Sequence, residues 1–125
     1  MTTPHVLVVD DDNAIRGLLR SVLRRDGYAV EEAGDGVEAL EKLRERPYDA
    51  VLLDLMMPRM NGWEVLEHLS ADDPGRLSCV IVISAALPKK GLSPEHETAV
   101  YSVIPKPFDL EALRTVVRRC VEGDA

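Results

Sequence analysis

Five polar side chains of this sequence stand where short aliphatic runs end. They are Asp10, Asp11, Asp54, Ser84 and Lys106. Carboxylates packed together repel one another unless a cation lies between them, and Mg²⁺ prefers oxygen ligands of this kind. A lysine ammonium and a hydroxyl can bind the oxygens of a phosphoryl group. If the fold brings these side chains together, they could hold a divalent cation and guide a phosphoryl group onto a carboxylate.

Alternating strand and helix patterns predict how these side chains are positioned. Continuous aliphatic runs predict buried strands, and apolar residues at helical spacing predict amphipathic helices between them. The predicted strands cover residues 6–9, 29–33, 50–53, 80–83 and 100–104. The clearest helical spacing covers residues 15–23, 37–43, 65–69 and 113–120. This alternation predicts an α/β fold with a parallel sheet and helices on both faces.

The order of the strands follows from their apolar content. The first, third and fourth strands are the most apolar and should be central, whereas the second and fifth contain polar residues and suit the edges. We therefore predict a doubly wound, five-stranded parallel sheet in the flavodoxin-like order 2-1-3-4-5. Ligands bind outside the carboxyl ends of such strands, and neighbouring strands are ~4.8 Å apart. The polar side chains should converge there, with Asp54 flanked by the others and hence the expected phosphoryl acceptor.

Composition narrows the class of protein. The 125 residues, 46% of them hydrophobic, predict a single domain over 1–125, with a core from about 5 to 121 and no output domain. No apolar run approaches the ~20 residues of a membrane span, and we expect neither a secretory leader nor a membrane partner. The net charge of −7 argues against direct binding to nucleic acid. A cytoplasmic location is therefore expected.

Four segments of the sequence carry a family resemblance. They are residues 8–11, 54–62, 83–85 and 106–108, which read VVDD, DLMMPRMNG, ISA and KPF. In this order and with this spacing they resemble the receiver domain of two-component response regulators, which is CheY-like. The resemblance implies that Asp54 accepts a phosphoryl group from the phosphohistidine of a sensor histidine kinase or a histidine phosphotransfer protein. The chain would then be a signalling switch that acts on a protein partner, not an enzyme, because it would catalyse only its own phosphorylation and dephosphorylation.

The resemblance also implies a set of metal ligands. Asp11 would bind Mg²⁺, or Mn²⁺ in its place, directly, and Asp10 would bind it through water. Asp54 and the backbone carbonyl of Met56 would complete the protein's share of the ligands.

A second set of residues would bind the phosphoryl group and respond to it. Lys106, the Ser84 hydroxyl and the backbone amide of Ala85 would contact the phosphoryl oxygens. Members of the family have a cis peptide bond at the position of Lys106-Pro107. Movement of Ser84 and its loop would then change the face built by the fourth helix, the fifth strand and the fifth helix.

The region after Ser84 departs from the family pattern. Residues 87–94 contain two prolines and a glycine where a regular helix is expected, so we predict a fourth helix that is short or mobile. It would be capped by Ser93 and run to about residue 100. Val103 stands where many members have a switching aromatic residue, and Tyr101 should share its strand face by alternation. These two residues are the candidates for the switch face.

Other readings of the same residues compete with this one. The acids at 10–12 could simply cap the first helix, although a cap needs only one. A haloacid-dehalogenase-like phosphatase would need a second acid at Met56, and a flavodoxin-like electron carrier would not place three acids beside a flavin phosphate. A phosphate-independent binding module remains the alternative function.

A basic stripe on the first helix is also open to two readings. Arg16, Arg20 and Arg24 recur at helical spacing. They predict either a solvated helix face or a surface that contacts the phosphodonor.

Overall fold

The structure, a computed structural model, describes residues 2–85 and 91–123, in which strands and helices alternate. The strands are β1 (His5–Val9), β2 (Ala29–Ala33), β3 (Ala50–Asp54), β4 (Val80–Ser84) and β5 (Ser102–Pro105). The helices are α1 (Asn13–Arg25), α2 (Gly36–Glu45), α3 (Gly62–Asp72), α4 (Pro94–Ala99) and α5 (Leu110–Glu122). A 3-10 helix, Pro74–Cys79, lies between α3 and β4. The predicted α/β architecture is confirmed.

The strands form one parallel sheet of order β2-β1-β3-β4-β5, as predicted. The register brings the carboxyl ends of the strands to a common edge. Asp54 pairs with Ile83, and Ser84 pairs with Pro105. The residues that end or follow β1, β3, β4 and β5 are therefore neighbours.

Successive side chains of the central strands bury opposite faces of the sheet, because strand residues alternate in direction. Leu7 and Val9 belong to a core cluster that includes residues of α2 and α3. Val6 and Val8 belong to a second cluster that includes residues of α1 and α5. Helices thus cover both faces, which explains why β1, β3 and β4 are almost wholly apolar. Within the described residues, no helix is both long and apolar enough to cross a membrane.

Side-chain caps fix where the helices next to the site begin. Asp12 caps α1 by accepting hydrogen bonds from the backbone N–H groups of Ala14 and Ile15, at 2.9 and 3.2 Å. Asn61 and Glu64 form a reciprocal capping box at the start of α3. Because Asp12 alone caps α1, the two acids before it are available for other chemistry.

The fifth strand is shorter than predicted. It begins at Ser102, because Val100 ends α4 by donating a backbone hydrogen bond to His96 and is itself buried. Tyr101 therefore precedes the strand, and alternation does not apply to it. The prediction that Tyr101 and Val103 share a face is wrong: Val103 packs on the α2–α3 side and Tyr101 on the α1–α5 side.

The fourth helix is short, as predicted. It covers only Pro94–Ala99, and the Ser93 side chain caps it by accepting from His96 N. The helix has few aliphatic residues, and none of its residues is buried. The predicted mobility concerned residues 87–93, of which 87–90 lie outside the described residues.

Candidate functional site

The carboxyl edge of the sheet brings together the acids and the lysine that the sequence singled out. Asp10 and Asp11 follow β1, and Asp54 is the last residue of β3. Carboxylate oxygens of these three residues lie within 4.8 Å of one another. Lys106, which follows β5, places its Nζ 2.9 Å from Asp10 Oδ2 and 3.4 Å from Asp54 Oδ2. The three acids are therefore neighbours, and Lys106 contacts two of them.

Burial differs among the three acids and sets their electrostatics. Asp10 and Asp54 are buried, with 3% and 4% of their surface exposed, whereas Asp11 faces solvent. Burial raises the pKa of the Asp54 carboxyl, and the neighbouring charge of Asp10 raises it further. Burial alone would lower the pKa of Lys106, but its hydrogen bond to Asp10 and the charge of Asp54 outweigh that effect and raise it. The site thus holds more negative charge than Lys106 alone balances.

The donor set fits a hard divalent cation. Oxygen ligands converge from three carboxylates of which one is open to solvent, and Mg²⁺ commonly combines one or two carboxylates with retained water molecules. The excess negative charge would also be relieved by such an ion. No other group of three His, Cys, Asp or Glu side chains within the described parts of the chain has this spacing.

The turn after β3 connects Met56 to the predicted acceptor. The Met56 backbone N–H donates to Asp54 Oδ1 at 3.3 Å, and the Met56 side chain is exposed. This bond orients the Asp54 carboxylate and starts the loop that leads to α3. The metal-ligand role of the Met56 carbonyl stays a prediction.

Ser84 and Ala85 lie at the end of β4, on the same edge. Ser84 is fully buried, and Ala85 is exposed directly after it. The backbone N–H of Lys106 donates to the Ser84 carbonyl at 3.1 Å, which joins the ends of β4 and β5. The peptide bond between Lys106 and Pro107 is cis. The structure places these residues beside the acids, and their phosphoryl-binding and switching roles stay predictions.

The basic stripe is not simply solvated. Arg16 and Arg20 both pair with Glu32 of β2, at 3.2 and 2.8 Å. Arg16 also donates to the backbone carbonyl of Asp10 at 2.7 Å, and Arg24 donates to the carbonyl of Val30 at 3.4 Å. The reading of the stripe as a solvated face is therefore wrong for Arg16, which supports the acidic turn. The glutamates of the edge strand were the signal that could have predicted this pairing.

Two residues near the site escaped the sequence analysis. Asp35 is buried before α2, and the Arg59 guanidinium in the β3–α3 loop pairs with its carboxylate. Arg59 also has a positive φ of 64°, which is uncommon for a residue other than glycine. The Gly34-Asp35-Gly36 segment is typical of a turn, but nothing in the sequence indicated that Asp35 would cap α2 and contact the loop of the site.

Comparison with known proteins gives a consistent result. A family model described as the response regulator receiver domain matches residues 6–118. The response regulator MprA of Mycobacterium leprae (strain TN) is 43% identical to this chain over an alignment 128 residues long. The alignment covers 97% of this chain and 54% of that protein. MprA of Mycobacterium bovis (strain BCG / Pasteur 1173P2) is 41% identical over 127 residues, with the same coverage. The chain thus spans about half the length of the curated relatives it matches.

Solved structures show the same similarity. The receiver domain of the Francisella response regulator 1452 superposes with a TM-score of 0.86 at 27% identity, covering 97% of this chain and 98% of that one. The response regulator TrrA from Thermotoga maritima, solved in complex with Mg²⁺-BeF, superposes with a TM-score of 0.80 at 30% identity. The superposition covers 94% of this chain and 99% of that one.

Proposed function

The chain belongs to the family of response regulator receiver domains of two-component systems, and on this premise we propose that Asp54 accepts a phosphoryl group in a Mg²⁺-dependent reaction. The observation that carries the proposal is the convergence of three carboxylates and the Lys106 ammonium at one edge of the sheet. Asp54 is the proposed acceptor because it lies between the acids that follow β1 and the lysine that follows β5. Mn²⁺, which has similar preferences for oxygen ligands, is proposed as a substitute for Mg²⁺.

Each side chain has a distinct task in the proposed reaction. An Asp54 carboxylate oxygen attacks phosphorus, and the bond from phosphorus to the donor's histidine nitrogen breaks. Asp11, Asp54 and the Met56 carbonyl would hold the cation directly and Asp10 would hold it through water, and the cation, when bound, would neutralise charge on the phosphoryl oxygens. Lys106 supplies a second positive charge to those oxygens and loses its contact with Asp54 when the acyl phosphate forms.

The readout of phosphorylation is proposed to begin at the end of β4. The Ser84 hydroxyl and the Ala85 backbone N–H donate to the phosphoryl oxygens, and β5 follows because the backbone N–H of Lys106 is bonded to Ser84. The face of α4, β5 and α5 would then have two arrangements, with Val103 and Tyr101 responding on opposite sides of the sheet. A short α4 with no buried residue needs little energy to rearrange.

The partners and setting follow from the proposed chemistry. The donor is a sensor histidine kinase or a histidine phosphotransfer protein, and the output is a change in binding to another protein. We propose that the chain acts as a single receiver domain, in the cytoplasm, and catalyses only its own phosphorylation and dephosphorylation. Direct binding to nucleic acid or membrane is not part of the proposed function.

Phosphotransfer from a phosphohistidine tests the proposal. A histidine phosphotransfer protein, labelled on its histidine, is mixed with the chain in Mg²⁺ or in a chelator, and the label on each protein is followed with time. We expect transfer to the wild type in Mg²⁺, and none to Asp54→Asn or in the chelator. If several donors fail while the chain still binds a partner protein, the phosphate-independent binding module becomes the better reading.

A further inference from the structure

The loop between β3 and α3, residues 55–61, closes tightly on the strand that carries the acceptor. The Gly62 backbone N–H donates to the Leu55 carbonyl at 2.9 Å. A Cβ on Gly62 would lie 2.4 Å from the Asp54 carbonyl oxygen and 2.7 Å from Leu55 Cα. These contacts fix the α3 end of the loop against the end of β3. This loop begins with Met56, whose N–H contacts the Asp54 carboxylate.

The loop also contacts the start of α2, across the sheet edge. The Gly36 backbone N–H donates to the Met60 carbonyl at 3.0 Å, and a Cβ on Gly36 would lie 2.3 Å from that oxygen. Asp35, one residue earlier, caps α2 by accepting from Glu38 N at 2.9 Å. Its second oxygen pairs with the Arg59 guanidinium. Backbone and side chain thus tie the loop to α2 at adjacent positions.

The conformation of Arg59 indicates that its side chain has a purpose in this contact. Its φ of 64° lies in the left-handed region, where glycine is favoured over any residue with a Cβ. The side chain is 71% exposed, whereas the Asp35 side chain is only 7% exposed, so Arg59 contributes little to packing. What Arg59 adds that glycine would lack is a cation against a buried carboxylate.

Resting on the function proposed above, we propose that Asp35 and Arg59 are positioning residues for the cation site. Their ion pair holds the 55–61 loop in the arrangement in which the Met56 carbonyl and the Asp54 carboxylate can both reach a divalent cation. Without the pair, the loop would keep its Gly36 hydrogen bond to α2 but lose the ionic contact beside it, and would spend less time in that arrangement. Apparent affinity falls in proportion to the population that is competent to bind.

Arg59→Gly is the informative substitution, because it removes the ion pair and also relieves the left-handed backbone. Relief of the left-handed backbone offsets the loss of the cation beside the buried Asp35 carboxylate, so unfolding by urea should show a stability close to that of the wild type. Isothermal titration with MgCl₂ should nevertheless show an affinity about three- to tenfold weaker. A residue with a merely structural role would change both quantities in the same direction.

Three further variants complete the test. Arg59→Lys keeps the charge and should bind Mg²⁺ within about twofold of the wild type. Asp35→Asn keeps a side-chain oxygen for the α2 cap but loses the pair, and should weaken binding as Arg59→Gly does. Arg44→Ala removes an exposed arginine paired with Asp72 at 3.7 Å, away from the loop, and should leave binding unchanged.

The outcomes separate this inference from the proposed function. Mg²⁺ binding by Arg59→Gly that matches the wild type would overturn the inference and leave the function intact. Equal weakening in Arg59→Lys and Arg59→Gly would also overturn it, because charge would not matter. If the wild type itself binds no Mg²⁺, the proposed function fails and the inference falls with it.

Discussion

Replacing the buried acceptor acid by its neutral isostere should stabilise the metal-free protein. Asp54 is buried beside Asp10, and both effects raise its pKa above the ordinary range. A carboxyl with a raised pKa in the folded state disfavours folding at neutral pH, where it must be charged. Asn keeps the side-chain oxygen that accepts from Met56 N, at 3.3 Å in the wild type. Asp54→Asn therefore removes an unfavourable charge and retains the local hydrogen bond.

The size of the effect can be worked from the distances. At an effective dielectric constant of about 20, repulsion between Asp54 and Asp10 oxygens within 4.8 Å of each other is about 3.5 kcal/mol. Attraction to Lys106 at 3.4 Å is about 5 kcal/mol on the same scale. Asp11 is exposed, so water reduces its repulsion to about 1 kcal/mol. These Coulomb energies nearly cancel, and the burial of a charge, which disfavours the folded state by several kcal/mol per ion before compensation, decides the sign. We expect a net gain of about 1–2 kcal/mol, or roughly 4–8 °C in Tm.

The assay is urea unfolding in a chelating buffer, followed by the fluorescence of Trp63, the chain's only tryptophan. Glu67→Gln, at an exposed acid on α3, is the matched control and should change little. The advantage of Asp54→Asn should be full at neutral pH. It should disappear as the pH falls below the unfolded carboxyl value of about 3.9, because the wild-type acid is then neutral in both states. An Asp54→Asn variant no more stable than the wild type at neutral pH, or an equal gain in Glu67→Gln, would show that the buried charge of Asp54 does not destabilise the fold.

Three other predictions concern the scaffold around the site. Gly62→Ala should lower the free energy of unfolding by about 1–3 kcal/mol, measured by urea titration, because its Cβ would overlap the backbone of β3. The Arg114 side chain hydrogen-bonds Asp26 and lowers the pKa of that carboxyl, although partial burial acts in the opposite direction. This pair therefore stabilises the fold fully at pH values above the ordinary pKa of a carboxyl group. That contribution is lost as the pH falls through the lowered pKa, and Asp26→Asn should flatten the acid side of the pH–stability curve. Trp63→Phe removes a hydrogen bond to the Gly91 carbonyl at 3.2 Å, and should speed amide exchange at residues 91–93, with no change at β1.

Much of the fold follows from the sequence because two periodicities are unusually clear. Continuous aliphatic strands and amphipathic helices alternate, which leaves few topologies, and the polar content of β2 and β5 identifies the edges. The convergence of Asp10, Asp54 and Lys106 then follows from strand order alone. Asp12 as the cap of α1 was also expected in outline, since only one of three consecutive acids is needed there.

The predictions that were wrong, and the contact that was missed, have physical causes that cannot be inferred from local sequence patterns. Val100 is as apolar as a strand residue, but it is buried at the end of a short helix, so β5 starts two residues later. Tyr101 changes sides because alternation holds only inside a strand. Contacts between Asp35 and Arg59 join residues on separate loops, and a long arginine side chain has many partners within reach until the fold is known.

The most direct test of phosphoryl transfer to Asp54 is the intact mass of the chain after incubation with Mg²⁺ and acetyl phosphate. We expect an added mass of one phosphoryl group in the wild type, and none in Asp54→Asn or in a chelator. Lys106→Met should bind Mg²⁺ but form the adduct more slowly, because one of the two positive charges at the site is missing. An adduct on Asp54→Asn, or none on a wild type that binds Mg²⁺, would contradict the assignment of Asp54 as the acceptor.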